Sequence, residues 1–211
     1  MIPKIIHQIW LGPADPPMKG LNSWRDMHVT SGWEYRLWRD KDVTPLVNDI
    51  AYELAPEYCR KADILRYEIL YNHGGVYIDA DTFCLKNIDP LLKIDEKIFA
   101  VMENKYNNLV ANGVIGCTKH NVFMKEVINN ITHDLSLMAW EATGPKFFTR
   151  MIETSSVSIK LYPFNYFWPF HHSEIYPDLS DQRCNDSYGV HYWGTTHDRY
   201  GGGIVCHFVL T

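Results

Sequence analysis

Ala62-Asp63-Ile64-Leu65-Arg66, followed by Gly74-Gly75-Val76-Tyr77-Ile78-Asp79-Ala80-Asp81, carries a helix, its stop and an acidic strand end in twenty residues. Ala62, Leu65 and Ile69 fall on one stripe at helical spacing, and Tyr58 and Asn72 extend it, so residues 57–73 read as a helix. Gly74-Gly75 stops it, as glycine just past a helix end commonly does. Val76-Tyr77-Ile78 is then a short strand running straight into two carboxylates. Strands interleaved with helices over the first two thirds of the chain indicate an α/β layered domain. Sheets of that kind bind ligands beyond the carboxyl ends of their strands, which is where Asp79 and Asp81 fall.

Two hard carboxylate oxygens with no sulfur nearby suit Mn²⁺ or Mg²⁺. Such an ion would bridge phosphate oxygens and offset charge on a departing diphosphate. An isolated Asp-x-Asp is a weak signal, because acidic loops produce it by chance. Here three apolar residues lead into it from a glycine stop, which places it on a strand end. Asp63 and Arg66 lie three apart on the preceding helix and share a face. Spacing alone leaves two readings open. One is a surface ion pair worth about 0.2–0.5 kcal/mol. The other is an enclosed pair in which Asp63 accepts from sugar hydroxyls and Arg66 donates to hydroxyl or phosphate oxygens.

Outward from this block, residues 4–10 form an apolar strand stopped by Gly12-Pro13, and residues 33–38 a half-exposed strand. Residues 42–55 and 121–137 read as helices, 99–102 and 110–116 as strands, and Thr143-Gly144-Pro145 as a helix start with proline at the first position. Residues 162–170 read as irregular aromatic packing over the core. With 211 residues, 46% of them hydrophobic, the chain is expected to form one domain over 1–211. This composition excludes wholesale disorder. A net charge of −5 argues against nucleic acid as a partner. Five cysteines without a C-x-x-C pair (Cys59, Cys84, Cys117, Cys184 and Cys206) read as free buried thiols in a reducing compartment. Two sequons, at Asn130 and Asn185, decide nothing. No signal-peptide core and no membrane span are visible. The chain is expected to be monomeric and cytoplasmic, lumenal only if a segment outside it supplies an anchor. Its apolar end, residues 204–210, reads as a domain cut from something longer.

The block 61–85 resembles the DXD-containing sugar-binding segment of GT-A glycosyltransferases, in particular the family of fungal initiating mannosyltransferases, bacterial capsular-polysaccharide transferases and viral relatives. It is also similar to the glucosyltransferase domains of clostridial toxins, which share the pattern A/S-D-I-L-R…G-G-x-Y-x-D-x-D. The opening Ile2-Pro3-Lys4-Ile5-Ile6-His7-Gln8-Ile9-Trp10-Leu11-Gly12 matches their first strand. The resemblance implies a Rossmann-like GT-A fold with a mixed central sheet flanked by helices. It implies metal-dependent transfer of a hexose or deoxyhexose from a nucleotide-diphosphate sugar, UDP-linked, to a glycan acceptor with retention. By the same resemblance Trp10 stacks on the base, Asp63 and Arg66 grip the donor sugar, and Tyr77 and Asp79 lie near ribose and uracil. Asp81 is the direct ligand of Mn²⁺ or Mg²⁺, assisted by Asp79 and His191, and Trp193 contacts the diphosphate. Asn112-Gly113 and Thr143-Gly144-Pro145 match loops lining the donor–acceptor cleft.

The toxin-like relatives carry a carboxylate at the position of Tyr188, so fewer protein ligands are expected here, with water and diphosphate completing the coordination. Their helical insertions for protein acceptors have no room in this chain. His171-His172 reads as structural, since adjacent residues point apart. Asp134, Glu141 and Asp198 are candidate acceptor-side carboxylates, and His197 and Asp198 lie close enough to Trp193 in sequence to reach the cleft. Two other functions fit the same residues: a nucleotide-sugar-binding module without catalysis, and a phosphohydrolase, which would want a second metal.

Overall fold

The computed structural model describes residues 1–106, 108–171, 173–174 and 178–194. A six-stranded sheet has the order β2-β1-β3-β6-β5-β7, formed by β1 (Ile5–Ile9), β2 (Glu34–Trp38), β3 (Gly75–Ile78), β5 (Ile98–Met102), β6 (Val110–Cys117) and β7 (Lys160–Tyr162). All its pairings are parallel except those of β6 with β3 and β5. A two-stranded antiparallel sheet pairs β4 (Thr82–Cys84) with β8 (Gly189–His191).

The strands alternate faces, and the alternation divides the core into two layers. Tyr77, Ile98 and Ala100 face a cluster that includes Ile64, Leu65 and Leu70 of α3 (Tyr58–His73), Phe123 of α4 (Val122–Asn129) and Phe148 of α6 (Pro145–Thr154). Val76, Ile78, Phe99 and Val101 face the other layer, with Trp24 of α1 (Met18–Val29), Trp33, Phe167 and Trp168. Gly116 is where the sheet is thinned for an aromatic ring: a Cβ there would lie 2.1 Å from Phe99.

The helix-to-strand turn that carries the first carboxylates depends on its glycines. Gly74, at φ 65°, caps α3 by donating to Leu70 O at 2.8 Å, and Gly75, at φ 96°, begins β3. A side chain at Gly75 would come within 2.6 Å of Ile5 O. Behind this turn His7 is wholly buried, with Nδ1 accepting from Trp38 Nε1 at 3.2 Å and Nε2 donating to Gly74 O at 2.9 Å. Burial pushes its pKa down to about 4, so the ring stays neutral and keeps this tautomer.

Several elements differ from the sequence expectation. The helix expected over 42–55 is confined to α2 (Asp49–Leu54), because Pro45 disfavours helical backbone at Thr44. The helix expected over 121–137 ends at Asn129. Its N-terminus is fixed by Asn121, whose side chain accepts from Phe123 N and Met124 N. The segment after it is pinned instead by Arg60, which donates to Asp134 O at 3.2 Å and to Leu137 O at 2.5 Å. The short helix α5 (Ala139–Ala142) follows. The aromatic segment 162–170 is irregular packing as expected, apart from Tyr162 at the end of β7 and a short 3₁₀ turn at Phe164–Tyr166; Phe167, Trp168 and Phe170 are buried. Cys84, Cys117 and Cys184 are free and buried, but Cys59 is disulfide-bonded, which corrects the reading of all five as free thiols. Among the described residues no helix is long and apolar enough to cross a membrane.

Candidate active site

The six-stranded sheet presents the carboxyl ends of β1, β3 and β5 and the amino end of β6 along one edge. Asp79 leaves the end of β3 with its backbone N–H held by Gly113 O of β6 at 2.9 Å. Its own carbonyl accepts from Gln8 Nε2 at 3.2 Å and from Thr82 Oγ1 at 2.6 Å. Behind these, Tyr35 donates to Gln8 Oε1 and Trp24 Nε1 to Thr82 Oγ1, each at 2.9 Å. The Asp79-Ala80-Asp81 turn is thus braced from the core layer that holds Trp24 and Tyr35. Gly113 supplies the space: a Cβ there would lie 2.4 Å from Asp79 Oδ2.

His191 reaches the turn because β8 pairs with β4 in a register that sets His191 opposite Thr82, one residue past Asp81. Its Nε2 lies 2.8 Å from Asp81 Oδ1 and 3.7 Å from Asp79 Oδ2. Trp193 takes φ 51°, the left-handed region a tryptophan seldom occupies, and the bend turns Gly194 N back onto Asp81 Oδ2 at 2.8 Å. Burial alone would raise the Asp81 pKa, yet the histidine partner and the Gly194 N–H hold it below the usual carboxylate range. Burial likewise opposes charge on His191, and the fields of Asp81, Asp79 and Glu103 outweigh it and raise its pKa.

One donor atom from each of Asp79, Asp81 and His191 fits within 4.8 Å of the others. Two carboxylates and an imidazole with no thiolate form a donor set that accommodates Mn²⁺ or Mg²⁺. A cation there would displace the histidine proton and take over the contacts now made between His191 and the acids. Tyr188 packs on Tyr166 and Phe167, so an aromatic ring stands where the resemblance would put a further carboxylate.

Beside the acidic turn lies a second buried cluster. Asp63 Oδ1 accepts from Asn112 Nδ2 at 2.8 Å and pairs with Arg66 Nη2 at 3.0 Å, while Oδ2 accepts from Thr143 Oγ1 at 2.9 Å. Arg66 also donates to Asn112 O at 2.6 Å, lies 3.3 Å from Asp79 Oδ1, and sets its guanidinium 4.4 Å from the Tyr77 ring centre. Tyr77 donates to Asp79 Oδ1 at 2.8 Å. Of the two readings open for Asp63 and Arg66, the enclosed one holds: they are 6% and 5% exposed. Burial pushes the Asp63 carboxyl up to about 6, against the pull of Arg66.

The structure therefore brings Asp63, Arg66, Tyr77, Asp79, Asp81, Asn112 and His191 into one network, with Trp193 edge-on to His191 at 4.2 Å between ring centres. Trp10 stands half-buried past the end of β1, its Nε1 donating to Ala14 O at 2.7 Å. Asp134 is exposed on the segment pinned by Arg60, and Glu141 is paired with Lys146 at 2.7 Å. His172, His197 and Asp198 lie outside the described residues. Sequence reasoning missed the supports, Gln8, Thr82 and Gly194, and named Thr143 only as part of a loop. It also missed Glu103, whose carboxyl is pushed up to about 7 by burial.

Residues 15–98 match the family described as glycosyltransferase sugar-binding region containing DXD motif. Inositol phosphoceramide mannosyltransferase 3 of Schizosaccharomyces pombe is 31% identical over 69% of the chain, which spans 43% of that relative. An uncharacterized glycosyltransferase of Acanthamoeba polyphaga mimivirus is 29% identical over 90% of the chain and 82% of its own length. The chain spans less than two thirds of the length of each of three mannosyltransferases matched in S. pombe. Among solved structures, PaToxG glycosyltransferase superposes with a TM-score of 0.58 at 18% identity, over 72% of this chain and 69% of that one. A glycosyltransferase involved in glycosylation of the major capsid of PBCV-1 gives 0.57 at 12% identity, over 94% and 97%. At these identities the superpositions establish the shared fold.

Proposed function

Because the chain belongs to the family of glycosyltransferase sugar-binding regions containing a DXD motif, we propose that it moves a hexose or deoxyhexose from a UDP-linked donor to a glycan acceptor with retention. One observation supports this most: the acidic triad and the buried Asp63–Arg66–Asn112–Thr143 cluster share Asp79 as a common wall, through its contact with Arg66. A phosphate-binding cation site and a polar sugar pocket then lie side by side.

In this reading Asp63, fixed by Thr143 and Asn112, orients the donor sugar through its hydroxyls. Arg66, charged and fully enclosed, donates to the oxygen on which charge develops, a preorganised interaction that strengthens as the bond breaks. Asp79, Asp81 and His191 would hold Mn²⁺ or Mg²⁺, which when bound supplies Lewis-acid neutralisation of the leaving diphosphate. Trp10 and Tyr77 bind the base and ribose, and Trp193 lies along the diphosphate. The acceptor hydroxyl attacks from the face the diphosphate leaves, and its proton passes to the leaving phosphate.

Titration calorimetry of UDP-glucose, UDP-galactose and a guanosine-linked mannose, with and without Mn²⁺, tests donor and metal together. A UDP-hexose should bind only with the cation, with slow donor hydrolysis on longer incubation. Preference for the guanosine donor would overturn the nucleotide assignment. Tight binding with neither hydrolysis nor transfer across an acceptor panel would make the chain a binding module instead.

A further inference from the structure

His191 directs Nε2 at the acidic pair, while its other ring nitrogen, Nδ1, is buried and has no hydrogen-bond partner among the described residues. A buried polar atom left unsatisfied costs about 1–3 kcal/mol, so the orphan requires an explanation. Metal-bound histidines regularly give their second ring N–H to a carboxylate, which fixes the tautomer and makes the ligating nitrogen more basic.

Glu103 fits that role by its place in the fold. It is the first residue past β5, on the sheet edge where the acidic turn lies, and its backbone N–H is held by Leu109 O at 2.9 Å. Alternation along β5 sends Phe99 and Val101 into the layer containing Trp168, while Ile98 and Ala100 face the other. Glu103 is next on the Phe99–Val101 face. Trp168 and Trp193 pack on that layer and flank His191, with ring centres 5.2 and 4.2 Å away. The half-buried Glu103 side chain makes no hydrogen bond or ion pair within the described residues. Glu103 and His191 each lie in the other's electrostatic field. Asp79 and Asp81, which also act on His191, occupy its Nε2 side. Among the described residues, one unpartnered acid and one unpartnered ring nitrogen thus fall on the same side of the sheet, each within the other's field.

We propose that Glu103 is the outer carboxylate of the cation site, accepting the Nδ1–H of His191 directly or through one water and so presenting the Nε2 lone pair to the metal. This rests on the cation site proposed above. Glu103 is a positioning residue in this scheme and touches neither donor nor acceptor.

Mn²⁺ affinity, measured by electron paramagnetic resonance of the free ion, reads the proposal without turnover. Glu103→Ala should raise the Mn²⁺ Kd about 10- to 100-fold. Glu103→Gln, which keeps an acceptor oxygen but not the charge, should fall between it and wild type. In a His191→Asn background Glu103→Ala should add nothing. Nitrogen-15 spectra of the unaltered protein with Mg²⁺ should show His191 as the Nδ1–H tautomer, a readout that needs no variant to fold. Wild-type Mn²⁺ affinity in Glu103→Ala overturns the proposal and leaves the cation site standing, whereas an Nε2–H tautomer overturns it and removes His191 from the ligand set. A raised acceptor KM with unchanged Mn²⁺ affinity also overturns it, assigning Glu103 to the acceptor. Failure of the wild type to bind Mn²⁺ removes the cation site itself, and this inference with it.

Discussion

Replacing Asp81 with alanine is expected to lower turnover of every nucleotide-sugar donor by roughly 10³-fold or more, the rate equivalent of the several kcal/mol a Lewis acid contributes at a departing phosphate. Both carboxylate oxygens of Asp81 are committed, one to His191 and one to Gly194 N, so the substitution also releases the turn that closes over the site. The loss should persist at saturating Mn²⁺, because the remaining acid, Asp79, is tied to Tyr77 and Arg66. The stability cost is smaller, about 1–3 kcal/mol for the stranded partners. Steady-state rates beside thermal melts separate the two effects. Wild-type-like turnover in a folded Asp81→Ala protein would refute the metal role.

Arg66→Ala is expected to have the largest effect on stability. The guanidinium is 5% exposed and offsets two acids, Asp63 and Asp79, while capping the Asn112 carbonyl and lying over Tyr77. Removing one partner of a buried pair costs about 3–5 kcal/mol, or a fall in Tm of roughly 6–20 °C for a chain of this size. The sign of the pH dependence follows from Asp63. Its folded pKa of about 6 lies above the ordinary 3.8, so burial disfavours the ionised form. The stability this costs is absent above pH 6 and recovered as the pH falls through 6 toward 4. Without Arg66 the carboxyl shifts further upward, and the deficit should be greater at pH 8 than at pH 5. Arg66→Lys should fall between, because a single ammonium cannot span Asp63, Asp79 and the Asn112 carbonyl together. Melting curves at the two pH values decide it, and a variant with unchanged Tm would contradict the account.

The helix, glycine stop and strand that set up Asp79 and Asp81 were legible because their signals are local: a 3.6-residue stripe, two consecutive glycines and an apolar run. What was not legible is long-range. Strands β4 and β8 have three residues each, too short for any period to show, yet their pairing carries His191 across 110 positions to Asp81. His191 entered the sequence reading through family resemblance alone. Gln8 and Thr82 look like ordinary polar residues beside strands, and only the sheet order shows that both close on the Asp79 carbonyl. Glu103 had a faint signal, an acid next in the alternation after Phe99 and Val101 at a strand's carboxyl end. The enclosed state of Asp63 depended on Asn112 and Thr143, which lie 49 and 80 positions away.

A crystal structure of the protein soaked with UDP and Mn²⁺ would show whether Asp81 holds the cation beneath the diphosphate. One cation should lie within coordination distance of an Asp81 carboxylate oxygen, with diphosphate oxygens and water completing its shell. UDP bound with no cation at Asp81, or Asp79 and Asp81 turned away from the diphosphate, would contradict that role for Asp81.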